Sequence, residues 1–271
     1  MAGVELISSR RNPLVRQLRL LQEPRGRREQ GLLLLEGTHL VQEALRLGLS
    51  PVHLLATGAW LQAHAELVQQ LPPACRPQPV TAEVLAAVAT TRHPDGVVLA
   101  LAPPEARRSG PPDLWLVLDT VQDPGNLGTL IRTALAAGVG ALWLADGADP
   151  YQPKVLRASA GAALALPHWR GDRAALLEQL RSLRDQQGVQ LVATLPPGQG
   201  AQPYWQLDWT RPTALLLGSE GAGLHPDLQA LASHRVTIPH RGAVESLNVA
   251  VAAAPLLLER QRQQQERMQP S

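Results

Sequence analysis

Apolar residues recur at two spacings along this chain, and the alternation between them predicts its elements. Leu14, Val15, Leu18 and Leu21 fall at helical spacing within residues 10–22, with arginines on the opposite side. Pro24 and Gly26 end that pattern. Short apolar runs then alternate with amphipathic stretches. Strands are expected at 31–36, 51–56, 78–80 and 96–101, and helices at 39–47, 60–71 and 82–89. The order βαβαβαβ predicts a small α/β domain over residues 1–101.

Residues 102–113, APPEARRSGPPD, pack prolines, a glycine and charges into one stretch and read as a linker. A second α/β domain is expected over 114–262. It opens with the strand LWLVLD, which ends at Asp119, and continues with a helix from Asn126 closed by Gly138. A strand follows at 142–145, then a helix from Pro153 to Ala160 with proline in its first turn. Leu164 and Ala165 read as a strand, 172–187 as an amphipathic helix and 189–194 as a strand. Residues 196–205, PPGQGAQPYW, read as a loop. Thr213 to Leu217 is a continuous apolar run, the pattern of a strand buried on both faces, and Val236 to Ile238 is a shorter one. The turn Pro239–Glu245 leads to a last helix that starts at Ser246 and runs to about Arg262. A polar tail, 263–271, is expected to fray.

Composition narrows the class. At 271 residues and 45% hydrophobic, the chain can bury two cores. No apolar run is long enough to span a bilayer, and the N-terminus lacks the apolar segment of a signal peptide. Cys75 is the sole cysteine, so neither a disulfide framework nor a cysteine metal cluster is expected. These features point to the cytoplasm. The net charge of +2 is modest, but residues 1–30 carry seven arginines against three glutamates. Such an excess suits phosphate contacts, with Arg10, Arg16 and Arg25 as candidates, and suits equally a solvated helix face.

Three polar clusters interrupt the second domain. The first is Asn126-x-Gly128-x-x-x-Arg132. Six residues turn a helix by about 600°, so the two side chains share a site only if Asn126 stands ahead of the helix. The plainer reading is a capping asparagine and a surface arginine. The second cluster, Gly218-Ser219-Glu220-Gly221-Ala222-Gly223, closes a buried strand with a turn whose backbone a ligand can approach. It is neither a dinucleotide-binding glycine pattern, since Pro226 stands where the last glycine belongs, nor a nucleophile elbow. The third runs from Ile238-Pro239 to Ser246-Leu247-Asn248, a polar pair before an apolar helix, which serves as a cap or as a site. In an open α/β sheet ligands bind beyond the carboxyl ends of the strands, where the second and third clusters lie, and a site is expected there. His225, His234 and His240 have no metal-ligand spacing, and no metal is expected. Trp205 with Tyr204 forms either a stacking platform for a base or a packed loop anchor.

In this order, the clusters NLGTLIRTA, LLLGSEGAGL and IPHRGAVESLNVAVA resemble the three motifs of the SpoU/TrmH family of RNA ribose 2′-O-methyltransferases, in the SPOUT superfamily. PKVLRASAGA is similar to a family stretch between the first two motifs. SRRNPLVRQL and EGTHLVQEAL resemble the ribosomal-protein-like substrate-binding domain of the rRNA-modifying branch. The resemblance implies a C-terminal α/β domain with a deep trefoil knot, preceded by a smaller α/β substrate-binding domain. It also implies S-adenosylmethionine as methyl donor and a homodimer with active sites near the subunit interface. By motif match, Gly218, Gly221, Ile238, Pro239 and Leu247, with Thr194 at its strand end, would hold the cofactor. Asn126, Arg132, Glu220, Ser246 and Asn248 would form the catalytic, RNA-facing set. The implied substrate is 23S rRNA. A tRNA substrate, an RNA-binding relative without catalysis, and a dinucleotide-dependent oxidoreductase are the alternatives, the last opposed by the misplaced glycines.

Overall fold

The computed structural model describes residues 5–105, 111–241, 244 and 246–268. Residues 106–110 of the expected linker therefore lie outside the described residues, as do 242, 243 and 245 of the turn Pro239–Glu245 and 269–271 of the tail. In chain order the elements are α1 Pro13–Leu20, α2 Pro24–Gln30, β1 Leu33–Glu36, α3 Thr38–Arg46, β2 Pro51–Thr57, α4 Gly58–Ala63, α5 Ala65–Gln69, β3 Pro77–Val80, α6 Ala82–Val88 and β4 Val97–Leu101. There follow β5 Leu114–Asp119, α7 Pro124–Ala136, β6 Ala141–Ala145, α8 Pro153–Ala158, α9 Ala162–Ala165, β7 His168–Gly171, α10 Arg173–Gln187 and β8 Gln190–Thr194. The chain closes with β9 Gln202–Pro203, a 3₁₀ turn Tyr204–Gln206, β10 Thr213–Leu217, α11 Pro226–Leu231, β11 His234–Thr237 and α12 Val249–Met268. Two compact units result: residues 1–105 with 149–165, and residues 106–148 with 166–271.

The first unit is built on a four-stranded sheet in the order β1-β4-β2-β3, with β4 antiparallel to both its neighbours. Val15, Leu18 and Leu21 of the α1 region and Val84, Leu85 and Val88 of α6 bury one core with Leu34, Leu55 and Val98 from the sheet. Pro24 does not end helical structure here. It occupies the first turn of α2, where a missing N–H costs nothing, and Gly26 lets α2 approach the α1 terminus. A Cβ at Gly26 would stand 2.0 Å from the Leu20 carbonyl oxygen. The helix expected over 60–71 is two, α4 and α5, broken at His64. Residues 149–165 complete this unit. Arg157 of α8 donates to Glu36 of β1, whose carboxylate also accepts from the backbone N–H and hydroxyl groups of Thr90 and Thr91. Arg27, counted by sequence with the basic face, is 5% exposed and instead holds the Leu21 and Gln22 carbonyls and Asp149.

The second unit is a seven-stranded sheet in the order β7-β6-β5-β10-β8-β11-β9, with every neighbouring pair parallel. Alternate residues of its strands, among them Trp115, Val117, Leu191, Ala214 and Leu216, pack on α10 and α11 through Leu176, Leu180, Leu183, Leu228 and Leu231. α7 and α12 pack against each other. Leu164 and Ala165 are helical, in α9, because the run Ala162–Ala165 is nearly all alanine. The strand is β7 instead, an edge strand whose half-exposed His-Trp-Arg-Gly carries no apolar run. Its Trp169 meets Trp143 edge-to-face at 6.3 Å. α12 continues to Met268, well past the expected end, with Arg262 bridging Glu259 and Glu266 along its surface.

Candidate active site

The C-terminal ends of β8, β10 and β11 open into a cavity of about 720 Å³, within the range that holds small-molecule cofactors. Its walls come from the loop after β8 (Thr194 to Pro197, and Gln199), the glycine turn after β10 (Gly218 to Leu224) and the segment after β11 (Thr237, Ile238, His240, Ser246, Leu247). Val249 and Ala252 of α12 close it. Among the expected cofactor residues, Thr194, Gly218, Gly221, Ile238 and Leu247 line this space, whereas exposed Pro239 does not.

The glycine turn is shaped by its own backbone. Ser219 and Gly223 exchange two N–H···O bonds, at 3.2 and 3.1 Å. A Cβ on Gly218 would lie 2.0 Å from the Gly223 carbonyl carbon, so only glycine closes the loop. Gly223 has a φ of +67°, the left-handed region that glycine adopts without strain. Gly221, by contrast, has open space where a Cβ would go.

Two buried hydroxyls in the walls lack partners. Thr194 Oγ1 and Thr237 Oγ1, at the ends of the neighbouring parallel strands β8 and β11, are buried without a hydrogen bond. A buried hydroxyl left unpaired costs about 1–3 kcal/mol, so a polar ligand beside it would relieve a standing penalty. These residues fit a nucleoside-sized cofactor. Sequence gives Thr237 no motif of its own. Its only signal is a polar residue ending an apolar strand.

Beside the cavity, the three polar clusters meet. Asn248 caps α12, its Oδ1 accepting from the N–H groups of Ala250 and Val251 at 2.9 and 3.2 Å. The cap is thus Asn248, two residues beyond the expected Ser246, which is exposed and lines the cavity. With its oxygen committed, the Asn248 side chain presents Nδ2, which donates to Asn126 Oδ1 at 3.0 Å. Asn126 Nδ2 in turn donates to Glu220 Oε1 at 2.7 Å. Each amide orientation follows from the one before, and the series ends on a carboxylate. Asn126 is the third residue of α7, not a residue ahead of it. Asp123 is the cap, its Oδ1 accepting from Asn126 N at 2.8 Å.

Arg132, two turns along α7, is exposed and makes no ion pair or hydrogen bond among the described residues. Its guanidinium is available to a ligand rather than tied to Glu220. Among the described residues no group of three or more histidine, cysteine, aspartate or glutamate side chains is placed to hold a metal ion.

Comparison with known proteins places this arrangement. Residues 113–258 match the model of the SpoU rRNA methylase family, and residues 12–99 that of the MRM3-like substrate binding domain. An uncharacterised tRNA/rRNA methyltransferase of Synechocystis is 46% identical over 97% of this chain and 96% of its own length. The 23S rRNA (guanosine(2553)-2′-O)-methyltransferase RlmP of Bacillus subtilis is 32% identical over 93% of this chain and 97% of its own. The crystal structure of an AdoMet-bound rRNA methyltransferase from Sinorhizobium meliloti superposes with a TM-score of 0.79 at 30% identity, covering 95% of this chain and 97% of that one. With motifs, site geometry and near full-length relatives in agreement, the chain belongs to the SpoU rRNA methylase family.

Proposed function

We propose that this protein transfers a methyl group from S-adenosylmethionine to a ribose 2′-hydroxyl of 23S rRNA. The observation that carries the reading is the series Asn248–Asn126–Glu220, which joins all three family motifs at the rim of a cofactor-sized cavity. Relatives that span nearly the whole chain, and the substrate-binding match at its N-terminus, support rRNA over tRNA.

When bound, S-adenosylmethionine supplies an electrophilic methyl group on a sulfonium, open to in-line displacement. The chain's task is then alignment and charge. Thr194, Gly218, Gly221, Ile238 and Leu247, which line the cavity, hold the cofactor, largely through backbone groups. Thr194 and Thr237 add their unpaired hydroxyls. Arg132 acts through its charge and its hydrogen-bond donors. It anchors a phosphate and favours the negative charge that develops on the 2′-oxygen. Asn126, locked by Asn248, orients the ribose, Ser246 lines the approach, and Glu220 accepts hydrogen bonds from the substrate side.

In the first unit Arg10 and Arg16 are exposed, and Arg25 is exposed but paired with Glu29 at 2.6 Å. Arg10 and Arg16, joined by exposed Arg11, Arg19 and Arg28, take the RNA backbone. Trp205, 49% exposed and edge-to-face with Tyr204 at 5.1 Å, offers a face for an unstacked base. Val251 and Leu258, seven residues apart on α12 and both exposed, with Leu135 on α7, form an apolar stripe suited to a second copy of the chain. A homodimer, a trefoil knot around the second and third motifs, and a cytoplasmic location belong to this reading. No helix among the described residues is long and apolar enough to cross a membrane.

The test is calorimetric titration with S-adenosylmethionine, followed by transfer of labelled methyl to 23S rRNA fragments. Micromolar binding with label in a ribose 2′-O-methyl nucleotide is expected. Absence of both, with RNA present, would refute the reading.

A further inference from the structure

We propose that Asp119, through the backbone N–H of His225, is the positioning residue that holds the Glu220-bearing glycine turn in register with the Asn126-bearing helix. The inference rests on that turn being part of the cofactor site.

Asp119 is the last residue of β5, and its side chain is 1% exposed. β5 and β10 run parallel with Leu118 opposite Leu217, so the chain leaves the sheet at the same level at Asp119 and at Gly218. From Asp119 the backbone turns sharply. Thr120 has a φ of +57°, an uncommon conformation for a β-branched residue, stabilised by its N–H bond to the Ala145 carbonyl at 2.9 Å. Three residues later Asp123 caps α7 and Asn126 follows. The backbone of Asp119 thus leads into the first motif.

Its side chain grips the second. Oδ2 accepts from His225 N at 3.0 Å, and Oδ1 accepts from Arg173 Nε and Nη2 at 3.1 and 3.0 Å. His225 is the exit of the glycine turn, directly after buried Leu224. The entrance of the turn is fixed by β10, and its middle by the Ser219–Gly223 exchange. The Asp119 bond fixes the remaining end. Arg173 pairs with the buried carboxylate, so each of its two oxygens accepts from a donor held in place. Asp119 touches neither the cavity nor Glu220. Its effect passes through the loop, and the 2.7 Å bond from Asn126 to Glu220 depends on both ends being held.

The donor can be deleted without touching Asp119. His225 has φ −59° and ψ 142°, a conformation that proline adopts without strain. His225→Pro removes the N–H, and His225→Ala keeps it while losing the same imidazole cap on α11. The expected result is S-adenosylmethionine affinity within about twofold of wild type for His225→Ala, and affinity and kcat lowered about tenfold or more for His225→Pro, since a hydrogen bond to a charged group is lost. KM for RNA should be unchanged in both variants, and the lowered affinity should appear at full binding stoichiometry, whereas a general loss of folded protein would lower the stoichiometry and leave the dissociation constant unchanged. Asp119→Ala should match His225→Pro, and Asp119→Asn, which keeps one acceptor oxygen for His225 but turns its amide nitrogen toward Arg173, should recover only part of the affinity. Equal affinities for the proline and alanine variants at position 225 would overturn the proposal even if Asp119→Ala fails to fold. Wild-type protein that binds no S-adenosylmethionine would instead overturn the functional reading itself.

Discussion

The side-chain amide of Asn248 donates to the side-chain oxygen of Asn126, 3.0 Å away and 122 residues earlier in the chain. That bond joins the start of α12 to the start of α7. It exists because the N–H groups of Ala250 and Val251 claim the Asn248 oxygen and leave only its nitrogen to face Asn126.

Asn248→Asp separates the two roles of this residue. Aspartate caps a helix as well as asparagine and suits the positive end of the helix dipole. It cannot donate to Asn126 Oδ1, so the amide of Asn126 loses its fixed orientation. The melting temperature should hold while kcat falls by about 100-fold, the scale of a misplaced reacting group. Calorimetric melting beside a methyl-transfer assay checks both.

Thr237→Val and Thr194→Val should move stability and affinity in opposite directions. Each removes a buried hydroxyl that lacks a partner in the free protein. Urea denaturation without cofactor should show a gain of about 1 kcal/mol, and S-adenosylmethionine binding should weaken. A variant that loses stability without cofactor would mean the hydroxyl already has a partner.

The glycines of the turn should respond unequally. At Gly218 an alanine methyl meets the Gly223 and Leu224 backbone, which cannot yield without reshaping the loop, so Gly218→Ala should abolish cofactor binding. Gly221→Ala projects its methyl into open space and should fold normally. Titration of the two variants side by side separates loop shape from glycine content.

The arginines of the first unit divide by burial. Arg16→Gln and Arg19→Gln should each lower the slope of log affinity for RNA against log salt by roughly 0.7–0.9, the signature of one lost phosphate contact. Arg27→Gln breaks a buried pair with Asp149 and should cost about 3 kcal/mol of stability. Anisotropy titrations at several salt concentrations, and urea melts, read the two outcomes.

Glu36 ties β1 to Thr90, Thr91 and Arg157. Burial alone would raise its pKa, but the hydrogen bonds from Thr91 and Thr90 and the charge of Arg157 outweigh this and hold it below the usual value. A carboxyl with a lowered folded pKa contributes stability that is present above the unfolded pKa, about 4.3, and is lost as pH falls through the folded value. Wild type should therefore lose more stability between pH 5 and pH 3 than Glu36→Gln does. Equal losses in denaturant melts would remove Glu36 from the acid response.

By itself the sequence determined the local terms. Continuous apolar runs such as Thr213 to Leu217 mark strands buried on both faces, and amphipathic stretches such as 172–187 mark helices covering them, because side-chain period follows directly from backbone geometry. The three polar clusters were legible because their residues break those periods. Tertiary structure decided what periodicity cannot encode. The order β5-β10-β8-β11 brings strand ends from distant parts of the chain around one cavity, and a period says which face a residue takes but not which strand lies beside it. Capping at Asp123 and Asn248, rather than at Asn126 and Ser246, turned on one or two residues of backbone that only the packed loops fix. Arg27 reads as one more exposed charge until Asp149 arrives from 122 residues away to meet it, and Thr237 as one more strand end until the cavity forms beside it. For the strand order, Arg27 and Thr237 the deciding contact is long-range, so its energy appears only once the chain is folded.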